Sequence, residues 1–451
     1  MNRVTMSVAV LVCAMASTAS ADVVTYWDDV LARAIRADVT QTGPTKVARN
    51  MAMVHAAIYD AVNSVDRSHY PYHLMLPAAP GTSAEAAAAQ AAYQVLVQLY
   101  PAQKPTFDAA LVISLATVPA GPGKAAGIAL GTTIGNGMVA FRQNDHAFDP
   151  VPYTPSNLPG NWRPTPPDFS PAYAPGWGNV TPFAMVEGAQ FRPPAPPALT
   201  SADYTAAFNE VKSLGEKNSA ARTPEQTQIG IFWGYDRLGM GPPPILYNEI
   251  LQTISAQQGN TMAENARLFA LANIAMADAG IVSWDAKYLY NFWRPITAIR
   301  EADTDGNLDT VADPMWEPLG APGGGIVPNF TPPFPAYTSG HATFGAAMFQ
   351  ILTDYYGTDQ MHFTIGSDEL PGVFRSFDSF SQAAEENGQS RIYLGIHWHF
   401  DKTLGISTGD AVADFVFANF MQPVPAPGSL ALLVIGFVSL LGWRLMRKNT
   451  A

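Results

Sequence analysis

Two cations stand seven positions apart in the segment Lys287-Tyr-Leu-Tyr-Asn-Phe-Trp-Arg294-Pro295. A spacing of seven is almost two turns of an α-helix, so Lys287 and Arg294 are predicted to share one helical face and point at one site. Pro295 disfavours helical geometry at Arg294, so the helix is predicted to end there. The surrounding residues are apolar or aromatic, and two cations on such a face require an anion. This segment therefore predicts an anion site.

A second segment runs from Phe334 to His341 and opens into a predicted helix that extends to Tyr356. Ser339 and Gly340 fall where that helix begins. A helix N-terminus binds oxyanions through free N–H groups and the positive end of its dipole, and glycine lets the backbone approach a ligand closely. Taken alone, the segment would be explained by an N-cap serine beside a surface histidine.

The third segment begins at Ser390-Arg391 and ends at Asp401. Arg391 and His397 are six positions apart and do not share a face of a straight helix, so a break near Gly395 is predicted. Asp401 stands four positions after His397, where it can accept a hydrogen bond from one imidazole nitrogen and leave the other free. His397 is therefore predicted to be a nucleophile or a metal ligand.

Together the three segments resemble the signature shared by the vanadium haloperoxidases and the type 2 phosphatidic acid phosphatases. That signature is Lys-x6-Arg-Pro, then Ser-Gly-His, then Ser-Arg-x3-Gly-x-His-x3-Asp. Its order and spacing both match between Trp284 and Asp401. Thr338 departs from the pattern, since the family usually has proline before Ser-Gly-His, but this departure removes no ligand.

The resemblance implies that the ligand is a tetrahedral oxyanion, vanadate or phosphate. It also implies which groups bind the non-bridging oxygens: Lys287, Arg294, Ser339, the Gly340 amide and Arg391. His397, oriented by Asp401, would bond to vanadium or phosphorus. His341 would act as acid and base on the opposite side. With vanadate, Lys287 would polarise bound peroxide for halide attack while His341 moved the protons.

Trp284 and Phe334 stand where haloperoxidases similar to this chain line the halide side. The phosphatases proper usually have several membrane spans, whereas none is predicted here between the two ends of the chain. We therefore expect a vanadate-dependent haloperoxidase that uses hydrogen peroxide, a halide and an organic acceptor. A phosphatase acting through a phosphohistidine at His397 is the alternative within the superfamily, and a non-catalytic cell-surface or matrix protein on the same fold is a third possibility.

The elements that must position these segments are predicted to be helices. Apolar residues recur at helical intervals from Lys46 to Val65, and alanine-rich sequence of high helix propensity follows from Ala84 to Leu99. Helical patterning returns from Ser201, and again from about His397 to Phe420. No alternating strand series and no repeat of 20 to 50 residues is present. The predicted class is all-α, a helical bundle of the haloperoxidase and acid phosphatase type.

Residues 148–197 have a different composition, with many prolines and interleaved aromatic residues. This stretch is too long for an ordinary loop. It is predicted to be a rigid extended cover on the helical body, and a linker between two helical halves is the alternative.

The two ends of the chain carry predicted targeting signals. Residues 1–21 have the pattern of a signal peptide cleaved before Asp22, and they contain Cys13, the one cysteine of the chain. Residues 424–451 combine a proline-rich motif, an apolar run and a basic tip, which resembles the PEP-CTERM sorting tails processed by exosortases. Ala426 stands where that family usually has glutamate, and a plain membrane anchor is the alternative. The domain between them, residues 22–423, is expected in the periplasm or at the surface of a Gram-negative bacterium.

Nucleic acid is set aside as a partner, and three weaker candidate sites are set aside as well. A formal net charge of −12 without a basic run makes nucleic acid an unexpected partner. The acidic stretch from Asp303 to Asp309 is interpreted as a solvated turn, because Leu308 stands where a calcium loop needs glycine. His55 is interpreted as a core histidine and His399 as a surface or packed one.

Overall fold

The computed structural model describes residues 22–40, 43–237 and 239–425, so the predicted leader and nearly all of the predicted tail lie outside the described residues. The described helices and strands are α1 Val23–Ala37, α2 Pro44–Asp66, α3 Ala84–Leu99, α4 Lys104–Ala116, α5 Pro122–Phe141, α6 Ala202–Leu214, α7 Pro224–Phe232, α8 Pro244–Gln258, α9 Met262–Tyr290, α10 Pro295–Arg300, α11 Gly340–Tyr356, β1 Gln360–Gly366, β2 Phe374–Ser379, α12 Phe380–Tyr393 and α13 His399–Asn419. The predicted helical class is confirmed, and the antiparallel hairpin β1–β2 was not predicted.

Helix α9 is the centre of the bundle and packs against α2, α11 and α13. Its start is defined by a capping box, in which Thr261 and Glu264 exchange side-chain and backbone hydrogen bonds. Among the described residues, α9 is the one helix long and apolar enough to cross a bilayer, yet 94% of its apolar window is buried inside the molecule. A helix that is apolar on all sides and enclosed by other helices is a core helix.

The prediction that Lys287 and Arg294 share one helical face is wrong. Asn291 adopts left-handed backbone geometry with φ of 50° and ends α9 one turn after Lys287. The freed backbone pairs with the proline-rich stretch, since the Trp162 amide donates to the Asn291 carbonyl at 2.7 Å. Arg294 is extended, with φ −81° and ψ 154°, and forms the N-cap of α10. A stretch of irregular chain therefore separates the two cations.

Residues 148–197 cross the helical body with a single short 3₁₀ turn, Trp177–Asn179, as their regular structure. Buried aromatic side chains hold the stretch down, among them Trp162 and Trp177. Asp278 on α9 accepts backbone hydrogen bonds from Phe183, Ala184 and Met185 at 2.6, 2.8 and 2.9 Å. One buried carboxylate of the central helix thus satisfies three consecutive amides of this segment, which we call the cover.

Helix α12 ends just before the predicted break. Gly395 has φ of 74°, in the left-handed region that favours glycine, and a Cβ there would lie 2.4 Å from the Gly215 carbonyl oxygen. The chain therefore turns sharply between α12 and α13 and places His397 in the irregular link between them.

Candidate active site

His397 and Asp401 form the hydrogen-bonded pair expected from their spacing. The Asp401 Oδ2 atom lies 2.8 Å from His397 Nδ1 and also accepts from the Trp398 amide at 3.1 Å. Both side chains are buried. Because a carboxylate at Nδ1 keeps the proton on that nitrogen, the lone pair of His397 Nε2 faces the opposite direction. Asp401 therefore orients the imidazole and leaves Nε2 as its reactive atom.

Arg294 is anchored to the same imidazole from the other side. Its Nε donates to the Phe334 carbonyl at 2.8 Å, and its Nη1 donates to the Ile396 carbonyl at 2.7 Å and lies 2.9 Å from His397 Nε2. Its Nη2 is buried and has no hydrogen-bond partner among the described residues. Burial lowers the pKa of Arg294 to about 9, partly offset by Asp401. An anion bound to Nε2 would have to replace the Arg294 contact.

Arg391 supplies the second guanidinium group. Its Nη2 forms a short ion pair with Asp236, while Nε and Nη1 are buried without hydrogen-bond partners in the described part of the chain. Asp236 was missed from the sequence. It lies in the loop after α7, far from the three motifs, and no local pattern marks it. Its role is visible only once α12 brings Arg391 against that loop.

Lys287 is fully buried, and its ammonium group contacts three backbone carbonyl oxygens. Nζ donates to Pro335 at 2.8 Å, to Ala336 at 3.0 Å and to Thr338 over a shorter distance. An ammonium has three N–H groups, so these carbonyls occupy all of them. Burial and the nearby Arg294 hold the pKa of Lys287 well below its ordinary value. In this arrangement Lys287 holds the turn that leads into α11.

Ser339 and Gly340 start α11 as expected. The Ser339 hydroxyl accepts from the Ala342 amide at 3.4 Å, and its own amide donates to the Asp401 carbonyl at 3.1 Å. A Cβ at Gly340 would lie 3.4 Å from Trp284, an ordinary contact. No described neighbour therefore demands glycine at this position, although Gly340 lines the cavity beside His341. Space kept free of a side chain at a helix N-terminus suits an anionic ligand.

His341 lies at the same cavity and is 6% exposed. Its Nε2 lies 2.8 Å from the Gly234 carbonyl and 3.9 Å from Asp236 Oδ2. Since a carbonyl only accepts, Nε2 carries the proton. Burial, followed by the charge of Arg391, lowers the pKa of His341 to about 3. Without an anion, His341 is therefore a neutral imidazole.

Trp284 and Phe334 form an aromatic wall next to the cations. Their ring centroids are 4.9 Å apart, and Lys287 Nζ lies 4.9 Å from the centre of the Phe334 ring. The carbon of the Arg294 guanidinium lies 4.9 Å from the same ring. Tyr173 of the cover packs edge-on against Trp284, with centroids 6.2 Å apart. The cover therefore shields this side of the site from water.

The charges and donors of the cage fit a tetrahedral oxyanion. Three buried cations face the two carboxylates Asp236 and Asp401, and burying an excess cation requires an anion. The unpartnered guanidinium nitrogens on Arg294 and Arg391 are donors of the kind that oxyanions accept from. Burial and these arginines hold the pKa of His397 well below its ordinary value, so its Nε2 is unprotonated.

The cage encloses a cavity of about 10 Å³, which is room for about one water molecule. An anion bonded to His397 Nε2 would take the place of the contact between Arg294 and that atom.

The candidates set aside from the sequence have structural roles. His55 is fully buried with Nε2 2.9 Å from Asp28, and His399 is exposed and paired with Glu210 at 3.1 Å. The acidic turn is closed by Asp305, which accepts from the Asn307 amide at 2.7 Å. No group of three or more His, Cys, Asp or Glu side chains that could hold a metal ion occurs within residues 22–40, 43–237 and 239–425.

The known proteins that this chain resembles in sequence and in structure include several vanadium-dependent haloperoxidases. The family model described as the VCPO second helical-bundle domain matches residues 267–425. The vanadium chloroperoxidase of Curvularia inaequalis is 30% identical over 80% of this chain and 75% of its own length. The structure of the first bacterial vanadium-dependent iodoperoxidase superposes with a TM-score of 0.75 at 25% identity, covering 89% of this chain and 97% of that one. The apo form of a bacterial vanadium-dependent chloroperoxidase has the same fold, with a TM-score of 0.65 at 16% identity, over 85% of this chain and 95% of that one.

Proposed function

The chain belongs to the vanadium haloperoxidase family, and on that premise we propose that it oxidises a halide with hydrogen peroxide to a hypohalous species, with vanadate held at His397. The observation that carries this proposal is the set of buried guanidinium nitrogens on Arg294 and Arg391 without partners among the described residues. Those arginines surround an imidazole whose Nε2 is unprotonated.

Vanadate would be held by His397 Nε2, Arg294, Arg391, the Ser339 hydroxyl and the Gly340 amide. The guanidinium nitrogens would donate to its oxygens, and the start of α11 would add the positive end of a helix dipole. Bound vanadate supplies a Lewis acid that activates hydrogen peroxide without changing its own oxidation state. We expect no direct role for Asp401 beyond orienting His397.

His341 is proposed to move the protons of the reaction. Burial and the charge of Arg391 lower the pKa of His341. The negative charge of a bound anion would raise that pKa again. With the anion in place, His341 can hold a proton taken from hydrogen peroxide and return it to the departing oxygen. Asp236 anchors Arg391 beside it and lies 3.9 Å from the ring, which stabilises the protonated form.

Lys287 is proposed to polarise the peroxide substrate, as the family resemblance implies. Its three N–H groups contact backbone carbonyls, so a hydrogen bond to peroxide requires Nζ to release one of them. The ammonium also contributes its charge to the cage without moving, because the site is buried and weakly screened. The wall of Trp284 and Phe334 would face the halide, and we propose bromide and iodide ahead of chloride because chloride is the hardest to oxidise.

A vanadate titration separates this function from a phosphatase. Adding vanadate to the vanadate-free protein should switch on peroxide-dependent bromination of an acceptor dye and suppress any hydrolysis of an aryl phosphate. The two effects are opposite because vanadate is the cofactor of one activity and a phosphate mimic for the other. Vanadate that only inhibits a robust phosphatase, with no halide oxidation at any pH, would reverse the proposal.

Two histidine variants test the ligand assignment in the same experiment. His397→Ala should lower vanadate affinity by at least about a hundredfold, since losing an outer-shell partner of a ligand already costs roughly 10–100-fold. His399→Ala is the matched control, because that exposed histidine is only two positions away. Isothermal titration calorimetry measures both. Equal affinities in the two variants would remove His397 as the ligand.

A further inference from the structure

A larger cavity of about 650 Å³ adjoins the cage on the side of Asp236, which lines both spaces. One wall is formed by residues 165–170 of the cover, and another by the glycine-rich loop 321–330. The volume lies in the range of small-molecule sites. Because Asp236 binds Arg391 directly, a molecule in this outer cavity is separated from the cage by one layer of side chains.

The glycine-rich loop is fixed against this cavity. Ala321 and Phe330 exchange two backbone hydrogen bonds, of 2.8 and 3.0 Å, which close the loop at its base. Gly324 has φ of 82°, and a Cβ there would lie 2.5 Å from Arg237 Nη1. The loop backbone therefore packs directly on the Arg237 side chain. Below the loop, the Gly320 amide donates to the Leu394 carbonyl at 2.8 Å, close to the turn that carries His397.

The outer cavity has mainly apolar walls, and two of its three charged side chains are already paired. Phe330 and Val327 line it, together with prolines of the cover. Arg237 lies 3.0 Å from the buried Glu369, and Asp236 is paired with Arg391. Neither pair is free to select an ionic ligand, and the exposed carboxylate of Asp168, the third charged group, would repel an anion. These walls therefore suit a neutral, flat, apolar molecule.

Thr331 adds a polar group to these walls, which also carry Thr165 and Ser170. It is 6% exposed, and its hydroxyl oxygen is buried without a hydrogen-bond partner among the described residues. A buried hydroxyl without a partner is unfavourable. A single χ1 rotation exchanges the hydroxyl and methyl positions of threonine, so the hydroxyl of a ligand at this wall could supply the partner.

We propose, on the basis of the proposed function, that the outer cavity binds the organic acceptor, a neutral phenol of one or two rings, and that halogenation takes place there. Halide, hydrogen peroxide and a proton yield hypohalous acid and water. A ring carbon of the phenol then forms a bond to the halogen while the O–X bond breaks, and the proton of that carbon leaves with the hydroxide as water. A phenol has an electron-rich ring that can react with the hypohalous acid, and it has one hydroxyl that can pair with Thr331.

Two exposed valines make a matched pair for the test. Val327 lines the outer cavity and is 56% exposed, whereas Val311 lies outside it and is 65% exposed. Fluorescence titration of the vanadate-free full chain with β-naphthol should show binding at least about tenfold weaker in Val327→Trp, because the indole occupies the space that the ring needs. Val311→Trp should bind like the wild type. Thr331→Val should bind about three- to tenfold more weakly, as expected for one lost hydrogen bond.

Competition between acceptors then tests where halogenation occurs. The vanadate-loaded protein is supplied with β-naphthol and with a cyclic diketone that reacts with free hypohalous acid in solution. Val327→Trp should shift the product ratio toward the diketone without changing the total rate of halide oxidation. An unchanged naphthol affinity or an unchanged ratio, while halide oxidation persists, would overturn the proposal. Absence of halide oxidation with the diketone in the wild type would instead overturn the proposed function.

Discussion

Burial controls the ionisation of individual groups in this site. His341 and His397 are enclosed beside arginines, which lowers the pKa of each histidine. Burial raises the pKa of Asp401, although the Trp398 amide and the neighbouring cations oppose the shift. The imidazoles are therefore neutral without a bound anion, so that a nitrogen lone pair of His397 remains available and His341 can accept a proton when an anion arrives.

The depressed pKa of His341 predicts how stability depends on pH. The unfolded chain binds a proton at this histidine near pH 6.5, whereas the folded protein does so only near pH 3. The stability contributed by the neutral ring is complete above pH 6.5 and is lost as the pH falls through that window, by up to ~1.4 kcal/mol per unit. His341→Gln should therefore weaken the acid dependence of the free energy of unfolding by about one proton.

Urea unfolding of the vanadate-free protein at a series of pH values measures this difference. His362→Gln is the control, because the His362 side chain is 69% exposed. If the free energy of unfolding of His341→Gln depends on pH as steeply as that of the wild type, His341 takes up its proton in the folded state as readily as in the unfolded chain.

Helix α9 is the element on which both the cage and its cover depend. Its last turns carry Trp284 and Lys287, and Asp278 lies earlier in the same helix. The Asp278 carboxylate holds the cover through three amides, and the same stretch carries Tyr173, which packs on Trp284. A single helix therefore couples the position of the cover to that of Lys287.

Removing the Asp278 side chain should loosen the cover. Asp278→Ala leaves three amides without an acceptor, two of them in buried residues, and should lower the free energy of unfolding by about 3 kcal/mol. Asp285→Ala is the matched control on the same helix, because it removes a partly exposed ion pair with Arg192 and should cost no more than about 1 kcal/mol. Urea unfolding measures the energies, and limited proteolysis should cut Asp278→Ala within residues 148–197 first. Equal stability of the two variants would contradict the anchoring role.

On the scale of the whole molecule, both ends of the described chain are tied into the bundle. Asp22 caps α1 through the Val24 and Thr25 amides, and its other oxygen accepts from Asn265 at 2.8 Å. At the far end, the Val424 amide donates to the Ser68 carbonyl at 2.9 Å. These contacts close the fold between residues 22 and 425.

A chain of residues 22–425 should therefore fold and bind vanadate without the predicted leader and tail. We expect the melting temperature and the vanadate affinity of the full chain, because the described residues within this range supply the cage with its cations, its histidines and their partners. Differential scanning calorimetry and titration calorimetry make the comparison. A large loss of either property would show that residues outside the range contribute to the bundle.

The sequence by itself determined the types and the order of the residues that carry the chemistry. Lys287, Arg294, Ser339-Gly340-His341, Arg391 and His397 were predicted from three short segments and from their resemblance to the family signature. The orientation of His397 by Asp401 and the break at Gly395 were also predictable, since both depend on residues a few positions apart. Helix patterning predicted the all-α class for the same reason, because helical periodicity is a local property.

Only the tertiary structure decided which groups meet across the bundle. Asp236 meets Arg391 over a separation of 155 positions, and Arg294 reaches His397 over 103. The ammonium of Lys287 meets carbonyls that follow it by about 50 positions. Such contacts depend on how α9, α11 and α12 pack, and packing is set by side-chain shape over the whole core. The spacing of residues along the chain does not reveal this packing. The outer cavity and the position of Arg294 beyond the end of α9 were therefore visible only in the folded molecule.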